Sequence, residues 1–244
     1  MYKITLFYIL FLINNIKSND EDPGFSYRFN KYNIEIKRPG FLDTVNFNNN
    51  INGINVSRHH IIPHNLLSKF YVSMTKTKIR QEALALILTK IKSIKGNNED
   101  IDNLIKCLRD DDIDDYINCN NLLFRVYPFI FHMPFNIFIG PIPSNRYSDL
   151  GSFWLDVEGR ALLPTDLIKI ITDVHYIMMR IQENKLVLQD EINTLVGYLI
   201  KLLDHDLESE GFDDKLWIKV NRRIIENKSK SNKKLLKLQK NLEK

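Results

Sequence analysis

The chain has 244 residues, 44% of them apolar and 26% charged, with a formal net charge of only +4. That is the composition of a globular protein. Past the N-terminus no stretch approaches the about 20 consecutive apolar residues of a spanning helix, which excludes stable membrane insertion by that route. An internal repeat, a glycine-rich phosphate loop and a Gly-x-Ser-x-Gly nucleophile elbow are all absent.

At the start, Lys3 precedes an apolar run over residues 4–13, and polar Asn14, Asn15 and Ser18 follow it. One cation, a short apolar core and a polar exit is the layout of a secretory signal peptide, so residues 1–18 are expected to direct export. Residues 19–50, rich in Asn, Asp and Gly, are expected to form an N-terminal arm, with strand-like alternation over 27–37. Gly53 then leads into a β-like run ending in Arg58-His59-His60-Ile61-Ile62-Pro63. Neighbouring side chains in a strand point to opposite faces, so one histidine can meet a metal while the next meets a substrate. A metal-assisted phosphodiesterase needs that division, one ligand and one general base close together. Asn55-Val56-Ser57, just before the pair, and Asn227-Lys228-Ser229 are glycosylation sequons.

Helical spacing follows Pro63 through Leu66, Leu67, Phe70, Tyr71 and Met74. A second helix is predicted over 78–95, ended by Gly96, and an acidic third over 100–117. On one unbroken helix Cys107 and Cys119 would stand about 18 Å apart at ~1.5 Å per residue. A disulfide needs Cα atoms within about 7 Å, so a bridge requires a break, and Asp110-Asp111-Asp112 offers one. An aromatic, proline-punctuated stretch with His132 then leads to a predicted strand, Asn136-Ile137-Phe138-Ile139-Gly140. Pro141 and Pro143 end it, because proline cannot donate to a ladder. Ser144 is a natural N-cap for a short helix carrying Asn145, Arg146 and Asp149, which Gly151 would stop. The C-terminal third reads as helical, over 164–184, over 188–205 and over 212–225, the last leading into a basic tail. From 219 to 244 there are ten Lys or Arg against two Glu, whereas the rest of the chain is net acidic. Such a tail can track a phosphate backbone.

Together, the His59-His60 block and the 136–149 block resemble the HNH (His-Me finger) nuclease family. The resemblance implies a strand ending in the histidine pair, a second strand opening with asparagine, and a short helix bearing the last ligands. By that pattern His59 and Asn145, with Asp149 one helical turn on, hold a divalent cation, and His60 is the general base. Asn136 ties down the backbone of the loop that carries the base. Two departures stand out: Asn145 occupies a position usually held by histidine, and a long insertion separates the blocks. Without CxxC pairs the zinc-stapled subtype is excluded. Arg58 and Arg146 flank the blocks and are candidate phosphate ligands.

The expectation is a mainly helical α+β protein built on a ββα-metal motif with a long helical insertion and a C-terminal helical region. Its divisions are a leader (1–18), an arm (19–50), an HNH-like domain (51–218) with a helical insertion (64–128), and a basic tail (219–244). The expected function is a secreted endonuclease that hydrolyses nucleic-acid phosphodiesters, DNA ahead of RNA. Its cofactor would be one divalent cation, Mg²⁺ or Mn²⁺ ahead of Zn²⁺. An inhibitor or target-cell partner would accompany a toxin role. Two alternatives stay open: a secreted binding protein that keeps the motif's shape without its chemistry, and a different hydrolase with the histidines on zinc.

Overall fold

A computed structural model describes residues 50–109, 116–143, 146, 154–183, 187–219 and 225–227. The leader, nearly all of the arm, most of the basic tail, and Ser144, Asn145 and Asp149 lie outside them. Helices make up 68% of the described residues, beside a small three-stranded antiparallel sheet, so the fold is mainly helical α+β.

The sheet starts as a hairpin. Strand β1 (Asn50–Ile51) turns at Asn52-Gly53, both with positive φ, into β2 (Ile54–His60). Asn-Gly is the pair that a two-residue turn of this hand favours. The other edge of β2 takes β3 (Ile137–Pro141), giving the order β1-β2-β3 with His59 opposite Phe138 and His60 opposite Ile137.

Four helices occupy the chain between β2 and β3: α1 (His64–Ser73), α2 (Lys78–Lys95), α3 (Glu99–Arg109) and α4 (Tyr116–Phe131). Thr77 caps α2 by accepting from the Arg80 amide, and Gly96, at φ 89°, ends it. Where a single helix is predicted over 100–117, α3 ends at Arg109 and α4 begins at Tyr116, with residues 110–115 outside the described residues. Cys107, on α3, is disulfide-bonded, and Cys119 is the only other cysteine in the sequence. Helix α4 runs on through Pro128 to Phe131, further than the proline suggested. Proline removes the hydrogen bond to Phe124, but Val126, Tyr127 and Phe131 are buried around it and hold the last turn.

After β3 come α5 (Val157–Leu162), α6 (Thr165–Gln182), α7 (Gln189–Leu202) and the short α8 (Leu207–Glu210). Helix α6 packs on α1 and α7, α2 packs on α7, and α8 touches β3. Apolar stripes such as Leu167, Ile171, Val174 and Met178 close against Leu66, Leu67 and Leu84 in one continuous core. Residues 212–225 were read as helical, but Trp217–Lys219 (β4) and Ile225–Asn227 (β5) form a second antiparallel pair. Among the described residues no helix is long and apolar enough to cross a membrane.

Gly159 on α5 sits where the helix presses on the sheet. A Cβ there would stand 2.2 Å from Phe138 Cε1, inside a fully buried ring. Alanine gains up to about 1 kcal/mol in helix propensity, but overpacking of this kind costs about 1–3 kcal/mol. Gly159→Ala is therefore expected to melt several degrees below wild type, and an unchanged or higher Tm would refute this account of the contact.

Candidate active site

The strand pairing joins the two sequence blocks. Pleating sends His59 and His60 to opposite faces of the sheet. On one face, His60 lies against the end of α4, its ring stacked on Phe131 at 3.9 Å between centroids and 15° between planes. His132 is 5.6 Å from it, and His64, at the start of α1, meets the edge of Phe131 and the Tyr127 hydroxyl. Both ring nitrogens of His60 are buried.

Asn136, fully buried, immediately precedes β3. Its Oδ1 accepts from the Ile62 amide at 2.6 Å, and its Nδ2 donates to the carbonyls of Phe131 (3.0 Å) and Ile62 (3.4 Å). The Ile61 amide donates to the Asn136 carbonyl at 2.9 Å. One amide side chain thus fixes the chain just past the histidine pair to the turn ahead of β3.

On the other face His59 is buried and stacks on Phe138, its cross-strand partner, at 5.3 Å. Its Nε2 is 2.8 Å from the Pro141 carbonyl oxygen and 2.9 Å from Ser57 Oγ, and its Nδ1 is 3.0 Å from Arg146 Nη1. A carbonyl can only accept, so this geometry assigns the proton to Nε2 and leaves Nδ1 as acceptor for the guanidinium. Arg146 in turn donates from Nη2 to both Asp156 oxygens at 2.6 Å and from Nε to Glu158 Oε2 at 2.8 Å. Burial opposes its charge, but the two carboxylates outweigh that and hold the guanidinium above its ordinary pKa. Asp156 also caps α5, accepting from the Gly159 amide at 2.8 Å. Arg160, buried one turn further along, donates from Nη1 to Thr172 Oγ1 at 3.4 Å. Desolvation pulls it down to about 10 against the opposing pull of Asp156.

Burial, with Arg146 beside it, lowers the pKa of His59 from 6.5 to about 4. The neutral ring is favoured by folding, so its contribution is complete above pH 6.5 and is lost as the pH falls through 4. The loss across that window is about 3 kcal/mol. In melts at stepped pH, His59→Gln is expected to lose less stability than wild type between pH 6.5 and 4. Parallel curves for the two proteins would refute the assignment.

Of the predicted site residues, Arg58, His59, His60, Asn136 and Arg146 are described; Asn145 and Asp149 lie outside the described residues. The pairing brings His59, His60 and Asn136 together, while Arg146 lies against His59 and is ion-paired with Asp156 and Glu158, buried instead of open to a phosphate. Arg58 is partly exposed on β2, opposite Ile139. A divalent cation does not fit His59 as it stands, since both nitrogens are committed and one faces a guanidinium. Among the described residues no three His, Cys, Asp or Glu side chains form a metal-holding group. Asp156 and Glu158 were not anticipated; the cue was an N-cap aspartate ahead of Val157 with an acid in the first turn. Compared with known protein families, curated proteins and solved structures, the chain matches none.

Proposed function

We propose that this protein is an exported HNH-type endonuclease that hydrolyses phosphodiesters of nucleic acid, DNA ahead of RNA. The observation that carries the reading is Asn136 fastening the loop after the histidine pair, with Oδ1 2.6 Å from the Ile62 amide across two remote pieces of chain. In this mechanism His60 takes a proton from water as the water oxygen bonds to phosphorus. The bond to the leaving oxygen breaks, with its electron pair going to that oxygen. Asn136 is a positioning residue, and Arg58 is the candidate contact to a substrate phosphate. A metal, Mg²⁺ or Mn²⁺ ahead of Zn²⁺, would be held in the same reading by Asn145 and Asp149 and would supply positive charge to the developing phosphorane.

Two observations favour a second reading, a secreted binding protein that keeps the HNH-like shape without the chemistry. Arg146 caps His59 Nδ1, and the His60 ring nitrogens are buried. A nicking assay on supercoiled plasmid, with and without EDTA and with RNA as a parallel substrate, separates the two. The hydrolase reading expects cutting by the purified chain; no cutting of either polymer under any metal condition leaves the binding reading.

A further inference from the structure

We infer that the guanidinium of Arg146 is the built-in cation of this site, and that His59 serves as its acceptor instead of binding a metal. Every edge of the planar fork is used: Nη1 toward His59 Nδ1 at 3.0 Å, Nη2 to Asp156 at 2.6 Å, Nε to Glu158 at 2.8 Å. The Arg146 and Glu158 side chains have no exposed surface, and that of Asp156 only 10%. The other His59 nitrogen spends its proton on Pro141. A divalent ion at Nδ1 would have to expel the guanidinium, and one beside it would meet a like charge about 3 Å away in a low dielectric.

Charge balance points the same way. Arg146 faces both carboxylates, and Arg160 feels Asp156 from the first turn of α5. Among the described residues two guanidiniums therefore stand against two carboxylates, leaving no negative excess at His59 to draw in Mg²⁺ or Mn²⁺. Phe138 completes the enclosure, with the Arg146 guanidinium 5.3 Å above its ring and His59 stacked on the same ring. The Arg146–Asp156 pair also ties position 146 to the N-terminus of α5, with Arg146 as the positioning residue.

Resting on the same strand pairing as the proposed hydrolase, this assignment concerns His59 and leaves the role of His60 as it stands. Nitrogen NMR of the histidine rings in the full chain, titrated with Zn²⁺ alone, tests it. The expected result is a His59 ring protonated at Nε2 whose resonances stay put as Zn²⁺ is added. Zn²⁺-dependent movement of His59 Nδ1 or Nε2 would overturn the inference. A second arm uses Arg146→Ala, expected to lower Tm by on the order of 10 °C, with part of the loss recovered on adding methylguanidinium. Arg146→Lys, which keeps the charge but not the fork, covers an alanine variant that fails to fold and is expected to melt well below wild type. Either variant melting like wild type would also overturn it. Cleavage measured alongside reports on His60 alone, so an inactive protein with a Zn²⁺-blind His59 sinks the hydrolase and keeps the built-in cation.

Discussion

Replacing His60 with alanine is expected to slow plasmid nicking by about 10²–10⁴-fold, the usual worth of a positioned general base. The ring sits at the end of β2, held flat on Phe131, so its orientation is set by packing and not by a long flexible side chain. Alanine also removes that stack, so a circular dichroism spectrum and a melt must show a folded variant before its rate is read. His60→Asn is the companion, since it retains a polar group without a basic nitrogen, and it should be as slow as alanine. His205→Ala, altered in the turn after α7 and outside the proposed machinery, should cut as wild type does. Robust cutting by folded His60→Ala would end the assignment of the base.

Asn136→Ala should cost more in stability than any surface change. Its side chain satisfies the Ile62 amide and the carbonyls of Ile62 and Phe131 in a fully buried setting. Alanine leaves those groups without the amide, and each buried orphan costs about 1–3 kcal/mol. A total near 3–5 kcal/mol corresponds to a Tm lower by on the order of 10 °C for a chain of this size. Hydrogen exchange gives the local readout: the Ile62 amide should exchange slowly in wild type and much faster in the variant. A variant that keeps both its Tm and a protected Ile62 amide would refute the tie.

Much of this was legible in the sequence because proline, glycine and period-two patterning speak locally. Gly53 marks the entry to β2, Pro141 and Pro143 end β3, and the Leu and Ile stripes specify the helices. The residues 217–227 misled because Ile218, Val220, Ile224 and Ile225 suit a buried helix face as well as a strand, and only tertiary pairing decides. Arg146 misled for a different reason. Its carboxylate partners lie 10 and 12 residues away, and nothing in the spacing distinguishes a buried ion pair from solvated surface charges. Asn136 was readable as a tie for the loop after the histidine pair, but its three acceptor and donor partners emerge only once β3 lies beside β2.

The two groups joined by Asn136 Oδ1 are 74 residues apart along the chain, with four helices between them. During translation at about 5–20 residues per second, β2 leaves the ribosome on the order of ten seconds before β3 exists to pair with it. Helices α2, α3 and α4 pack on one another in chain order and can assemble within that interval, while α1 and α2 still await α6 and α7 and one edge of β2 stays open to any passing strand. A nascent chain halted before residue 137 would therefore carry a half-covered helical layer with a sticky, unfinished sheet, making this the stage at which a chaperone, or a second stalled copy, would find it.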